Sequence, residues 1–217
     1  MTTSQFSVCV FGGARAGASP AALAAAAEVG RLLGEAGHRL VYGAGGTGIM
    51  GAVSWAAAQA GAPITGVIPA FLRELEREED APAQEVIVTK GLLERKQRMF
   101  ELADAFLALP GGYGTLDEIV EVISTGCLRQ HAKPLVLLNT GGIWSGLVEL
   151  ANQLHHHDYA HPEPARLFSL AATPQEAMEL LAAPPAAVPS TVPAAVPAAA
   201  PSAVPSAMPS AVAGTGV

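Results

Sequence analysis

Ala105-Phe106-Leu107-Ala108-Leu109-Pro110-Gly111-Gly112-Tyr113-Gly114-Thr115-Leu116-Asp117-Glu118 passes from an unbroken apolar run, through a glycine-rich turn, into a helix signal opening with a hydroxyl and two acids. A short continuous apolar run is the pattern of a strand covered on both faces, as in a parallel sheet. The same unit recurs along the chain. Strands are predicted at Phe6–Phe11, Arg39–Tyr42, Ile64–Pro69, Glu85–Thr89, Ala105–Leu109, Leu135–Asn139 and Leu167–Leu170. Helices are predicted at Pro20–Ala36, Gly48–Ala60, Leu92–Ala103, Thr115–Leu128, Trp144–His155 and Pro174–Ala183. Ser19-Pro20 is a helix start, and Thr173 with Glu176 has the form of a capping box. Strands alternating with helices predict an α/β fold with a right-handed parallel sheet flanked by helices. Ligands of such sheets bind outside the carboxyl ends of the strands.

Beyond Ala183 the composition changes to PPAAVPSTVPAAVPAAAPSAVPSAMPSAVAGTGV, with proline at every fourth position from Pro185 to Pro209. Each proline removes an N–H and clashes with the preceding turn, so no helix survives that spacing. The expected organisation is one folded domain over 1–183 and a disordered, partly polyproline-II tail over 184–217. A ligand for a proline-binding module is the alternative for the tail, but it has no basic anchor. The 217 residues are 50% hydrophobic and 14% charged, with a net charge of -7. That balance argues against an electrostatic grip on nucleic acid or on anionic lipid. The two cysteines, Cys9 and Cys127, exclude a disulfide scaffold, suit a reducing compartment and read as small buried side chains. MTTSQFSVCVFGG has no charged leader before its strand pattern, and no apolar run reaches the roughly 18 residues of a spanning helix. The expected location is the cytoplasm.

Three strand-to-helix junctions are rich in glycine: Phe11-Gly12-Gly13-Ala14-Arg15-Ala16-Gly17, Tyr42-Gly43-Ala44-Gly45-Gly46-Thr47-Gly48 and Pro110-Gly111-Gly112-Tyr113-Gly114-Thr115. In a parallel sheet all three fall on one edge. Glycine lets backbone N–H groups close on an anion, and the following helix N-terminus adds partial positive charge. A phosphorylated or nucleotide ligand is therefore expected. There is no Gly-x-x-x-x-Gly-Lys-Ser/Thr, and the first loop lacks Gly-x-Gly-x-x-Gly. Tyr42, not an acid, ends the second strand, which disfavours a dinucleotide oxidoreductase.

The third junction also carries acids. Thr115-Leu116-Asp117-Glu118 has the form of a capping box, which would account for its residue types without chemistry. It also puts a carboxylate near where a phosphate would dock. There it can orient water or stabilise positive charge developing at an anomeric carbon. Leu93-Glu94-Arg95-Lys96-Gln97-Arg98-Met99 is the second candidate segment, because cations at a helix start oppose the macrodipole. Arg98 reads as a solvated charge. Arg95 and Lys96 can face the ligand edge, where an arginine clamps a phosphate or holds a carboxylate.

With these segments in place the chain resembles the LOG (LONELY GUY) family. Its signature Pro-Gly-Gly-x-Gly-Thr-x-x-Glu matches Pro110 to Glu118, and Glu94-Arg95-Lys96 followed by Met99 matches its second motif. YGAGGTGIM from Tyr42 to Met50 resembles the family's Tyr-Gly-Gly-Gly-x-x-Gly-Leu-Met, and Ala132-Lys133-Pro134 resembles a further segment. The resemblance implies a Rossmann-like fold, a homodimer or larger homo-oligomer, and no cofactor. It implies hydrolysis of the N-glycosidic bond of N6-modified adenosine 5'-monophosphates to the free base and ribose 5-phosphate. By the same resemblance Arg95 and Glu118 are the catalytic pair. Gly111, Gly112, Tyr113, Gly114 and Thr115 bind the phosphate with Lys96 close by, Ser124 contacts the nucleotide, and Met99 lines the base pocket. Gly13, Gly45, Gly46 and Thr47 complete the expected substrate-binding set. An acid of the Leu72–Asp80 segment reaches the partner subunit's site in the family, which makes Glu76, Glu78 and Glu79 candidates.

The chain departs from the family pattern at several positions, and its proline-rich tail has no counterpart in the family core. Gly12-Gly13-Ala14-Arg15 stands where Cys-Gly-Ser-Ser is common, and Thr125 where a tryptophan is usual. Two other functions fit the same features: a nucleosidase for AMP or another nucleoside monophosphate, and a non-catalytic carrier of a phosphorylated pterin-type cofactor, like the molybdenum-cofactor carriers. Retention of both Arg95 and Glu118 argues against the carrier. A pyridoxal-phosphate decarboxylase needs a Schiff-base lysine with phosphate and pyridinium partners. None of Lys90, Lys96 and Lys133 sits in such a setting. The adjacent His155, His156 and His157 point in different directions, so no metal site is expected from them.

Overall fold

The first apolar run becomes the central strand. Residues 5–73, 81–161 and 166–182 are described in a computed structural model of the chain. In it β1 (Ser7–Phe11), β2 (Arg39–Tyr42), β3 (Ile64–Pro69), β4 (Glu85–Thr89), β5 (Ala105–Ala108), β6 (Leu135–Leu138) and β7 (Ser169–Ala171) form one sheet. Its order is β4-β3-β2-β1-β5-β6-β7, and every neighbouring pair is parallel. The helices are α1 (Pro20–Glu35), α2 (Gly48–Gln59), α3 (Ala70–Arg73), α4 (Leu92–Leu102), α5 (Tyr113–Cys127), α6 (Ser145–His156) and α7 (Pro174–Ala182). The described residues all belong to one compact unit, Met1–Ala186. The proline-rich tail and the Glu76, Glu78 and Glu79 candidates lie outside the described residues.

The chain winds outward from β1 to β4, then crosses back to lay β5 against the other side of β1. Val8 thus pairs with Leu40 on one side and Ala105 on the other. Winding reverses between β1 and β5, which is where sheets of this kind bind their ligands, outside the carboxyl ends of the strands.

Alternation along the strands feeds two apolar layers. Val8 and Val10 of β1 share one cluster with Ala26 and Leu33 of α1, Val53 and Ala57 of α2, and Leu181 of α7. Cys9 and Phe11 face the other side, in a cluster with Met99 of α4, Ile119 and Val122 of α5, and Trp144 before α6. All five β1 residues are buried, and each large side chain removed from water stabilises the fold by about 1.5–3 kcal/mol. The Cys127 thiol, expected to be buried, is only half-buried. No helix among the described residues is long and apolar enough to cross a membrane.

Thr173 and Glu176 cap α7 as expected: the Glu176 N–H donates to Thr173 Oγ1 at 3.2 Å, and the Ala172 N–H donates to the Glu176 carboxylate at 2.7 Å. The expected capping box at Thr115 does not form. Gly112 is the N-cap of α5, and the Leu116 N–H donates to the Gly112 carbonyl at 3.0 Å. Thr115 therefore lies in the first turn, buried, and Glu118 in the second. Gly111 and Gly112 make the turn by themselves, which lets Tyr113 and Gly114 enter the helix. Removing the cap also removes the structural account of Thr115 and Glu118.

Candidate active site

The three glycine loops meet at the carboxyl ends of β1, β2 and β5 and are hydrogen-bonded to one another. The Gly13 N–H donates to the Pro110 carbonyl at 3.1 Å, and the Met50 N–H to the Gly13 carbonyl at 3.2 Å. Thr47 Oγ1 donates to the Ala14 carbonyl, also at 3.2 Å. Gly13, Thr47, Gly111 and Gly112 are thus brought to one place, with Gly45 and Gly46 in the same β2–α2 loop. Close packing is built in at Gly111, where a Cβ would collide with the Thr115 side chain. Neither α2 nor α5 has a side-chain cap. In α2 the Met50 N–H is taken by the Gly13 carbonyl, whereas the N–H groups of Tyr113, Gly114 and Thr115 at the start of α5 are left for water or a ligand, and both dipole ends favour an anion. Tyr113 stands out into solvent at 91% exposure. Arg15 is exposed on the β1 loop.

Arg95 and Glu118 come together beside these loops. Arg95 leaves the first turn of α4 and runs over the sheet edge, where its Nε donates to the Val67 carbonyl of β3 at 3.0 Å. Its Nη1 lies 3.3 Å from Glu118 Oε1. The guanidinium passes so close to Gly43, just after β2, that any Cβ there would collide with it. One side chain thus ties the ends of β2 and β3 to α5.

Glu118 is 7% exposed. Burial raises its pKa to about 7, Arg95 pulls it down, and the Asp117 charge pushes it up again. Cys9 lies under the pair on β1, and its thiol is pushed well up by burial and by the charge of Glu118. That thiol stays protonated and inert. The site therefore offers a carboxyl poised near neutrality, a fixed cation and a rim of unpaired backbone N–H groups. Such a set can bind a phosphate and act on a bond next to it.

The remaining expected residues are placed differently. Lys96, expected beside the phosphate, turns to α5: its Nζ donates to Asp117 Oδ2 at 2.9 Å and is paired with Glu121. Burial works against its ammonium, but the bonds to Glu121 and Asp117 outweigh that and raise its pKa. Met99 is 1% exposed and packs in the core beneath the pair. Ser124 is exposed. Six residues along α5, it is rotated about 120° from Glu118, so one protomer does not bring it to the carboxylate. The usual tryptophan position holds Thr125, whose Oγ1 donates to the Glu121 carbonyl at 2.6 Å and lies 3.1 Å from His131 Nε2. Four contributors escaped the sequence reading: Gly43, the Val67 carbonyl, Asp117 and Glu121. Asp117 and Glu121 had a signal, since both lie on one stripe of α5 at i,i+4. The other two are contacts made only in three dimensions.

Residues 50–181 match a protein family described as possible lysine decarboxylase. The lysines do not support that description: Lys96 is committed to two carboxylates, Lys133 Nζ donates to the Phe100 carbonyl, and Lys90 lies exposed. None can serve as a pyridoxal Schiff base without losing those partners or leaving the site. The chain is 40% identical over 171 residues to the cytokinin riboside 5'-monophosphate phosphoribohydrolase LOG of Oryza sativa subsp. japonica, covering 78% of this chain and 69% of that one. It is 38% identical over 183 residues to the cytokinin riboside 5'-monophosphate phosphoribohydrolase LOG7 of Arabidopsis thaliana, covering 83% of each. The fold is shared with the molybdenum cofactor binding protein of Rippkaea orientalis, at a TM-score of 0.63 and 22% identity over 83% of this chain and 97% of that one. It is shared equally with the molybdenum cofactor carrier protein of Chlamydomonas reinhardtii, at 0.63 and 23% over 81% and 94%. The identity to the plant enzymes and the family match over 50–181 place this chain in the LOG family, on a Rossmann-like sheet.

Proposed function

We propose that the protein hydrolyses the N-glycosidic bond of N6-modified adenosine 5'-monophosphates, releasing the free base and ribose 5-phosphate. The observation that carries this reading is the buried Glu118 carboxyl held 3.3 Å from Arg95 beside three joined glycine loops. The names of the 38–40% identical relatives support the same chemistry. The 5'-phosphate docks on the N–H groups of Gly111 to Thr115, with the Gly13 and Gly45-Gly46-Thr47 loops alongside. That remote binding energy positions the ribose. Glu118 as carboxylate sits under the sugar, orients water, and stabilises the positive charge that develops as the C1'–N bond opens. Water oxygen joins C1', the base leaves with the bonding pair and takes a proton, and no redox partner is needed. Arg95 fixes the carboxylate.

The protein works as a homodimer or larger homo-oligomer in a reducing, cytoplasmic setting. Its exposed Leu93, at 79%, is an apolar side chain that assembly would cover. The test is base release from N6-isopentenyl-AMP and, in parallel, from AMP, followed by chromatography with Glu118→Gln as control. Release from the prenylated nucleotide that vanishes in the variant supports the reading. Release from AMP alone moves the protein to general nucleotide salvage. No release from either overturns hydrolysis and turns attention to a bound phosphorylated cofactor. Sedimentation velocity tests the assembly.

A further inference from the structure

Lys96 and Glu118 are the two buried charged side chains among the described residues. They lie on different helices, and each is tied to the other's helix. Arg95 grips Glu118, while its neighbour Lys96 grips Asp117 and Glu121, the residues one before and three after Glu118. Two adjacent cations of α4 thus hold three carboxyl groups within five residues of α5. We propose that Lys96 is a positioning residue: it clamps the Asp117–Glu121 stripe of α5 to α4 and so keeps the Glu118 carboxylate opposite Arg95, without touching the substrate. This rests on the reading of Glu118 as the catalytic carboxylate.

The argument is one of geometry and charge. Asp117 and Glu121 are like charges at i,i+4 and repel each other unless a cation lies between them. An ammonium has three donors, and here two are spent on α5 while the stem is buried. With Glu118 protonated, Arg95, Lys96, Asp117 and Glu121 sum to zero, so ionising Glu118 adds the only net charge. Without Lys96 the cluster already carries one negative charge before Glu118 ionises. The charged groups around Glu118 are Arg95 and Lys96 from α4 and Asp117 and Glu121 from α5, with the Cys9 thiol of β1 protonated beneath. Lys96 favours its ionised form, and Asp117 and Glu121 oppose it.

The experiment compares wild type, Lys96→Met, Lys96→Arg and Glu121→Gln. Three quantities are measured: kcat and KM for N6-isopentenyl-AMP against pH, calorimetric affinity for ribose 5-phosphate, and the carbon-13 titration of the Glu118 carboxyl, assigned by its absence in Glu118→Gln. For Lys96→Met, kcat near neutrality should fall about tenfold while KM and ribose 5-phosphate affinity stay within about twofold. The acid limb and the carboxyl midpoint should move up by about one pH unit. Lys96→Arg should restore both, and Glu121→Gln should move the midpoint down. An affinity for ribose 5-phosphate weakened about tenfold or more in Lys96→Met, with an unmoved midpoint, would make Lys96 a phosphate ligand and overturn the proposal. If Lys96→Met does not fold, an unmoved midpoint in Glu121→Gln overturns it instead. If wild type releases no base but the midpoints move as stated, the clamp stands and the assigned reaction fails.

Discussion

Replacing Glu118 with glutamine should make the protein more stable at about pH 8 and leave its stability unchanged near pH 4.5. In the unfolded chain this carboxyl ionises at its ordinary value of 4.5, and in the folded chain at about 7. Between those values the folded state holds a proton that the unfolded state has released. Stability therefore falls as pH rises through that window and levels off above it. At about 1.4 kcal/mol per pH unit, the interval from 4.5 to about 7 amounts to about 3 kcal/mol of destabilisation at alkaline pH. The attraction of Arg95 is already contained in the value of about 7, so this is a net figure. Glutamine keeps the shape and stays neutral, so it removes the penalty at about pH 8. For a domain of this size the melting temperature should rise roughly 6–12 °C. Below about pH 4.5 both proteins are neutral at this position and should melt together. Thermal unfolding followed by circular dichroism at several pH values, at one protein concentration, reads the difference directly. Equal melting at about pH 8, or a less stable variant, would refute the desolvation argument. It would mean that Arg95 fully compensates the buried charge.

The same titration sets the sign of the rate profile. If the carboxylate is the working form, kcat should fall as pH drops below about 7, with the slope of one proton, and a rate that rises on acidification would assign Glu118 as an acid instead. Gly43→Ala puts a methyl into the path of the Arg95 guanidinium. The flexible end of the arginine yields, so stability should drop by about 1 kcal/mol while kcat falls about a hundredfold; a variant with wild-type kcat would detach Arg95 from the reaction. Arg95→Lys replaces two donor atoms at different positions, Nε on the Val67 carbonyl and Nη1 by Glu118, with one ammonium on a side chain that lacks the planar fork. It should lose about a hundredfold in kcat with little change in KM, whereas a large rise in KM would make Arg95 a phosphate ligand.

The parallel sheet could be read from the chain because its strands are short continuous apolar runs, even at the edge strand β4, where Val86 and Val88 are exposed. Arg39–Tyr42, Ile64–Pro69 and Glu85–Thr89 fall where the apolar runs place them. The other edge strand, β7, was harder. The run Leu167–Leu170 was expected as a strand, but Leu167 and Phe168 pack into the core before it, and β7 is the three residues Ser169–Ala171. The short helix Ala70–Arg73 was hidden between a strand and a charged run. At the site, Arg95 and Glu118 were readable because both stand in motifs that resemble a known family; Arg95 also opposes the dipole at the start of α4, whereas a capping box would have accounted for Glu118 without chemistry. Lys96 misled: a cation at a helix start looks like a phosphate ligand until the carboxylates of a second helix are seen. Ala44 carried a further hidden feature. It stands where the related motif has glycine, and its φ of 64° keeps the backbone in the left-handed region all the same.

The sheet does not by itself distinguish a hydrolase from a carrier, because molybdenum-cofactor binding and carrier proteins share it at 22–23% identity. The glycine loops do not distinguish them either, since N–H groups at helix ends serve any phosphorylated ligand. Glu118 does. Next to a phosphate a carboxylate is repulsive, and burial raises the pKa of this one to about 7, so its ionised form works against the fold. A protein that only holds an anion has no use for such a group and would be more stable with an amide. A protein that must stabilise a sugar carbon as it turns positive has a direct use for it, and strain of this kind persists where function requires it. Arg95 points the same way: its Nε donates to the Val67 carbonyl, it passes against Gly43, and its Nη1 faces that carboxylate. The destabilising carboxylate and the arginine that tethers it are therefore best explained together, by a reaction that passes through positive charge.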